Sequence, residues 1–176
     1  MKTAYFILGP ESSGTRMITK AFVTLGIYGD FRHKQRMDDL DFSKTPDKIV
    51  LRRSLPHGED WPSIADTINL MKQAGYMIVT PILILRDKDM TVKSQIRHSH
   101  AKNTAESRAN IEYAIDHAHR ELGSIGLVPL MINYEPFVKY DTVRKNFFKH
   151  LGLPEPTMAF FDANEKYHAP GESEEQ

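Results

Sequence analysis

Short apolar runs alternate along the chain with longer segments of mixed polarity. The apolar runs are typical of buried strands and fall at residues 4–8, 49–51, 82–85 and 130–133. The segments between them predict helices over residues 14–25, 60–75, 89–97 and 104–122. Because strands and helices alternate, the pattern predicts an α/β fold with a parallel sheet of four to five strands, covered by helices in a three-layer sandwich.

Glycine, proline and one acidic residue mark the predicted element boundaries. Gly26 follows the first helix, where a left-handed residue commonly ends a helix. Asp60 is the predicted cap of the second helix, with Pro62 in its first turn. Pro81 and Pro129 lack the N–H that a sheet ladder requires, so we expect both at strand starts.

Composition limits the classes of function. A length of 176 residues predicts a single domain over residues 1–170, and we expect the acidic tail at 171–176 to be disordered. The 23 basic and 23 acidic side chains cancel, so no strong attraction to nucleic acid is expected. No apolar run approaches the roughly 20 residues of a membrane span. The absence of cysteine and of a signal-peptide core favours a cytoplasmic location.

The loop that follows the first strand has the features of a phosphate-binding site. Its sequence is GPESSGTR, and its glycines allow backbone N–H groups to converge on an anion before the next helix begins. Gly9 and Gly14 keep the glycine spacing of P-loop nucleotide-binding folds, but Thr15 replaces the lysine and Arg16 replaces the metal-binding hydroxyl. A metal-dependent triphosphatase is therefore disfavoured, and no metal site is expected.

The same loop resembles the 5′-phosphosulfate loop of the sulfotransferases that use 3′-phosphoadenosine 5′-phosphosulfate (PAPS). The match lies in Ser13-Gly14-Thr15-Arg16. The resemblance implies a donor-binding segment made of Pro10, Glu11, Ser12, Ser13, Gly14, Thr15 and Arg16. Ser12 stands where the family usually has Lys or Arg, so Arg16 is the candidate for the missing catalytic charge.

Two later segments extend this resemblance to residues 5–155. Arg86 ends the third apolar run and Ser94 follows eight residues later, a spacing with which sulfotransferases bind the 3′-phosphate of PAPS. Tyr134-Glu135 and the phrase ending at Leu153-Pro154 match the family's late strand and closing helix. The resemblance implies transfer of a sulfuryl group from PAPS, without metal, to an acceptor hydroxyl or amine, with a saccharide as one candidate.

Two residues are equal candidates for the general base. Cytosolic sulfotransferases carry a K-T-H-L-P phrase after the second strand, and here Ser54 occupies the position of its histidine. His57 lies three residues further on. In tyrosylprotein sulfotransferases a glutamate follows a glycine after the first helix, and Asp30 follows Gly29 here. Glu59 ranks behind His57 and Asp30.

Other readings stay open. The chain is alternatively a kinase-like phosphotransferase that uses ATP and magnesium, or a nucleotide-binding protein without catalytic activity.

The pairs His98/His100 and His117/His119 are spaced two apart on predicted helices, so the members of each pair should point in different directions and face solvent. The basic run at residues 32–36 either contacts an anionic acceptor or forms a loop balanced by nearby aspartates.

Overall fold

The computed structural model describes residues 1–29, 40–56 and 60–167. Four parallel strands form one sheet in the order β2-β1-β3-β4. The strands are β1 (Lys2–Pro10), β2 (Lys48–Leu55), β3 (Tyr76–Leu85) and β4 (Leu130–Asn133). The predicted α/β class and parallel sheet are confirmed.

Helices cover both faces of the sheet. They are α1 (Thr15–Thr24), α2 (Ile64–Gln73), α3 (Lys88–Arg97), α4 (Thr104–Ser124), α5 (Tyr134–Lys139) and α6 (Asp141–His150). Helices α1, α5 and α6 bury one face together with Ile7 of β1, and α2 and α4 bury the other together with Leu8. Since successive side chains of a strand point to opposite faces, a strand that is buried on both faces is a continuous apolar run. No helix among the described residues is both long and apolar enough to cross a bilayer.

The start of α2 differs from the sequence prediction. The helix begins at Ile64, and its cap is Ser63, whose hydroxyl accepts the N–H of Asp66 at 3.1 Å. Asp60 is therefore not the cap, and Pro62 precedes the helix. The carboxylate of Glu121 in α4 also accepts the N–H of Ile64 at 3.1 Å, so part of the capping comes from a residue that is distant in sequence.

One of the two prolines also differs from the prediction. Pro129 directly precedes β4, as expected, but Pro81 lies inside β3, opposite Phe6 of β1. The pairing with β4 begins only at Ile82. On the β4 side, the edge of β3 is therefore unpaired where the proline occurs, which is where a sheet tolerates a missing donor.

The parallel topology brings the candidate site together. All four strands run in the same direction, so their carboxyl ends meet at one edge of the sheet. The loop after β1, Ser54 near the end of β2, Arg86 after β3 and Tyr134 after β4 all lie at this edge.

Candidate functional site

A cleft of about 670 Å³ opens at the carboxyl edge of the sheet. Its walls come from the loop after β1, the end of β2, helix α3 and the irregular segment at residues 158–166. Among the described residues that line it, one is a carboxylate, Glu11, and five are cationic: Arg16, Lys20, Arg52, Arg86 and Lys166. This charge distribution favours an anionic ligand.

The loop after β1 has a tightly constrained backbone. Ser12 and Gly14 both have positive φ, at 67° and 95°, and the N–H of Ser13 donates to the carbonyl of Pro10 at 3.0 Å. A Cβ atom on Gly14 would lie 2.6 Å from ring carbons of Tyr134. Gly14 is therefore needed both for its left-handed conformation and for the close approach of the tyrosine ring.

The N-terminus of α1 opens onto the cleft without a side-chain cap. Gly14 is the N-cap residue and has no side chain to offer, and the first turn of α1 contains no acidic residue. By contrast, α2, α3 and α4 are capped by Ser63, Asp87 and Asn103. The first N–H groups of a helix have no partners within it. At α1, these groups and the positive end of the helix dipole suit an anion.

Arg86 joins three parts of the site. Its Nη1 donates to the carbonyl of Ser12 at 2.7 Å, and its Nε donates to Oδ1 of Asn164 at 2.8 Å. Its guanidinium lies 5.0 Å from the ring centroid of Tyr134, within range of a cation–π interaction. Arg86 thus holds the strained Ser12 in place while it lines the cleft.

Helix α3 brings a second predicted residue to the same cleft. Ser94 is buried and lines the cleft together with Arg86. The next residue, Gln95, donates from Nε2 to the carbonyl of Glu11 at 2.9 Å and accepts the hydroxyl of Ser107 at 2.7 Å. These bonds hold α3 against the loop, so the position of Ser94 relative to the loop is fixed.

The structure brings most, though not all, of the predicted site residues into the cleft. The predicted residues that line it are Glu11, Ser12, Gly14, Thr15, Arg16, Ser54, Arg86 and Ser94. Pro10 ends β1, and Ser13 is buried next to Gly9; neither is among the lining residues. His57, Asp30 and Glu59 lie outside the described residues, so their roles stay predictions.

Two histidines that we expected to face solvent on a helix are solvent-exposed, but they follow the end of α3 and line the cleft. Helix α3 ends at Arg97, and Ser99 has φ 57°, so the chain turns sharply there and both His98 and His100 face the cleft. Nδ1 of His100 lies 3.5 Å from Oε2 of Glu11. Burial lowers the pKa of His98, and the positive charge of Lys166 acts in the same direction.

The other histidine pair stays on its helix. His117 and His119 lie on α4 and contact backbone carbonyls, at 3.0 Å from Pro62 and 2.8 Å from Ile115. The difference between the pairs is that the first follows the end of a helix. The sequence predicted the helix end at Arg97, and this end was the feature from which the position of His98 and His100 outside the helix could have been recognised.

Sequence reasoning missed the segment at residues 158–166. Met158, Phe161, Ala163 and Lys166 line the cleft. The N–H of Ala163 donates to the hydroxyl of Tyr134 at 3.0 Å, and burial raises the pKa of this tyrosine. Most of the segment has no regular secondary structure, so no hydrophobic period marked it.

Within the described ranges, no group of three or more His, Cys, Asp or Glu side chains is arranged to hold a metal ion.

The comparisons with known proteins bear on the fold. The sequence matches no family model and no curated protein. Among solved structures, the sulfotransferase domain from the Synechococcus PCC 7002 olefin synthase is similar, with a TM-score of 0.55 and 14% sequence identity. The alignment covers 96% of this chain and 85% of that one. At this identity the likeness is one of fold, and the chain has a sulfotransferase-like α/β fold.

Proposed function

We propose that this protein is a PAPS-dependent sulfotransferase that transfers a sulfuryl group to an acceptor hydroxyl or amine. The observation that carries the proposal is the convergence of the α1 N-terminus, Arg86 and Ser94 on one cationic cleft. These are the groups that the sequence resemblance assigns to the two ends of PAPS, and the sulfotransferase-like fold is consistent with them.

The loop and α1 would hold the 5′-phosphosulfate. The first-turn N–H groups of α1, after Gly14, supply donors without a competing side chain. The left-handed residues Ser12 and Gly14 give the loop the concave backbone of an anion-binding nest. Between Gly9 and Gly14 the loop has no basic residue that could neutralise the leaving phosphate, so a cation must come from elsewhere in the cleft.

Two cations on α1 are placed to supply that charge. Arg16 and Lys20 are four residues apart, which puts them on the same face of a helix, and both line the cleft. Arg16 would therefore take the role that the family usually gives to a Lys or Arg at the position of Ser12. As the bond between sulfur and the 5′-phosphate oxygen breaks, this charge stabilises the leaving phosphate.

Arg86 and Ser94 would hold the 3′-phosphate. An arginine has five N–H donors, and three of those in Arg86 bond to Ser12 and Asn164. The guanidinium is thus fixed by the protein while its other N–H groups stay available to a phosphate. Ser94 adds a short neutral donor from a buried position on α3.

The acceptor proton requires a base. The acceptor oxygen or nitrogen attacks sulfur, its proton passes to the base, and 3′-phosphoadenosine 5′-phosphate (PAP) leaves with the electron pair of the broken S–O bond. His57 and Asp30 are the candidates from sequence, and His98 and His100 are candidates from the cleft. The lowered pKa of His98 favours the neutral imidazole, which is the form that accepts a proton.

The cleft also has an apolar side that would face the acceptor. Met17, Met158 and Phe161 give it an apolar component next to the cations. A saccharide, which stacks its apolar ring face on aromatic groups and offers hydroxyls to charged ones, suits such a wall. We propose it as the first acceptor class to test once the donor is established.

Calorimetric titration with PAP tests the donor site. We expect binding without metal, weakened about 10- to 100-fold in Arg86→Ala, because a hydrogen bond to a charged group contributes about 1.5–3 kcal/mol. Arg120→Ala is the matched control, since Arg120 pairs with Asp116 on α4 and does not line the cleft. Binding of only ATP with magnesium would refute the proposal and favour the kinase-like alternative.

A second experiment addresses the non-catalytic alternative. Ser12→Lys restores the cation that the family usually carries in this loop. If PAP is released from PAPS only by this variant and never by the wild type, the natural protein is a nucleotide-binding protein and not an enzyme. Release by the wild type, together with its loss in Arg16→Ala, supports the proposed role of Arg16.

A further inference from the structure

Asn164 is buried at the bottom of the segment that covers one side of the cleft. Its Oδ1 accepts two hydrogen bonds from Arg86, one from Nε at 2.8 Å and one from Nη2. Its Nδ2 donates to Oε1 of Glu135 at 3.0 Å, and its backbone N–H donates to Asp162 at 2.9 Å. With 2% of its surface exposed, Asn164 makes these bonds away from water.

The two neighbours of this side chain fix its orientation. The guanidinium of Arg86 can only donate, and the carboxylate of Glu135 can only accept. The amide oxygen of Asn164 must therefore face Arg86, and its NH₂ group must face Glu135. Glu135 is fixed in turn by the N–H of Asp87, which donates to the same Oε1 atom at 2.8 Å.

Asn164 is a neutral partner of Arg86, in contrast to the carboxylates that pair with other arginines of this protein. Arg108, Arg120 and Arg144 pair with the carboxylates of Asp89, Asp116 and Asp141, each of which offsets the charge of its arginine. Arg86 receives its two-fold side-chain contact from an amide instead. An amide oxygen orients a guanidinium as a carboxylate would, but it does not itself neutralise the positive charge.

We propose that Asn164 is a positioning residue that holds Arg86 aimed into the cleft with its full charge, and that it thereby sets the preference of the site for a 3′-phosphorylated nucleotide. This inference rests on the proposed function, because it takes Arg86 to face the 3′-phosphate. It adds a residue from the C-terminal segment, 78 positions away from Arg86 in the chain.

The decisive variant exchanges the carboxylate of Glu135 and the amide of Asn164. Asn164→Asp combined with Glu135→Gln keeps the net charge and moves the carboxylate from Glu135 to the position beside Arg86. Of the two hydrogen bonds that Oε1 of Glu135 accepts, from Asn164 and from Asp87, the exchange retains one. The single Asn164→Asp variant accompanies it. Asn146→Asp, at an exposed site on α6, controls for an added negative charge.

Two ligands distinguish a loss of 3′-phosphate recognition from a general loss of structure in the site. PAP carries the 3′-phosphate, and adenosine 5′-phosphate lacks it. We expect the exchanged variant to bind PAP at least 10-fold more weakly than the wild type, with adenosine 5′-phosphate binding changed less than two-fold. A merely structural role would weaken the binding of both ligands together.

A double-mutant comparison completes the test. In an Arg86→Ala background, the exchange at positions 135 and 164 should no longer change PAP affinity, because its effect acts through Arg86. Unchanged PAP affinity in the exchanged variant with intact Arg86 would overturn the inference while the proposed function stands. A wild-type protein that fails to bind PAP would overturn both, so the two failures are distinct.

Discussion

Replacing Gly14 by alanine tests whether the loop geometry is required for stability and binding. Gly14 has φ 95°, which an L-residue rarely adopts, and an added Cβ would lie 2.6 Å from Cδ2 and Cε2 of the buried Tyr134 ring. The backbone cost alone is about 1–2 kcal/mol. Because the ring is 1% exposed and packed on several sides, it cannot move freely, and such overpacking adds about 1–3 kcal/mol.

Gly26 is a matched control that isolates the steric contribution. It also has positive φ, at 79°, but a Cβ there would meet nothing within 4 Å. Gly26→Ala should therefore show only the backbone cost. We expect the free energy of unfolding, measured by urea denaturation, to fall by about 1–3 kcal/mol more in Gly14→Ala than in Gly26→Ala.

Ligand binding provides a second readout of the same substitution. The ring of Tyr134 lies against Gly14, and its centroid is 5.0 Å from the guanidinium of Arg86. A displaced ring would disturb Arg86, so Gly14→Ala should weaken PAP binding while Gly26→Ala should not. If the two variants are equally stable and bind PAP equally, the reasoning about the close contact is wrong.

Three further predictions concern other residues of the fold and the site. In Glu121, burial raises the pKa, but hydrogen bonds from the start of α2 lower it overall, so its contribution to stability is present above the ordinary pKa and is lost as pH falls through the lowered one. The free energy of unfolding of Glu121→Gln, measured by urea denaturation, should be about 0.3–1 kcal/mol below that of the wild type at pH 7, and the difference should disappear as the pH falls through the lowered pKa. The rate of PAP release from PAPS tests His98→Ala and His100→Ala. We expect this rate to fall about 100-fold in one of the two variants, with PAP affinity unchanged. If both variants keep the wild-type rate, the base is His57 or Asp30. Gln95→Leu removes the side chain that bridges the loop and α4, and thermal unfolding should show a loss of about 1–3 kcal/mol; an unchanged melting temperature would mean that the bridge is unimportant.

The sequence was most informative where the physical requirement is local. The four strands were predicted because buried parallel strands are continuous apolar runs, although β1, β2 and β3 extend beyond the predicted limits. The glycine loop was predicted because left-handed backbone and a close approach demand glycine at Gly14. The spacing of Arg86 and Ser94 could also be recognised from the sequence, since both residues follow the same strand, β3.

Features that depend on distant partners could not be read in this way. The cap of α2 was misassigned to Asp60: the cap is Ser63, and the additional contact of Glu121 with the N–H of Ile64 comes from 57 residues away. His98 and His100 were assigned to a helix, but they follow its end at Arg97, where Ser99 adopts a left-handed conformation that serine seldom takes. Asn164 carried no signal, because an asparagine in an irregular segment acquires its significance only from what it contacts.

By itself, the sequence determined the alternation of strands and helices, the glycine spacing of the loop at Gly9–Arg16 and the lack of the usual lysine in it. Only the tertiary structure decided the strand order β2-β1-β3-β4, the neutral partner of Arg86 and the histidines of the cleft. The physical reason is that backbone dihedral angles and hydrophobic periods act over a few residues, whereas the orientation of Arg86 depends on a side chain 78 positions away.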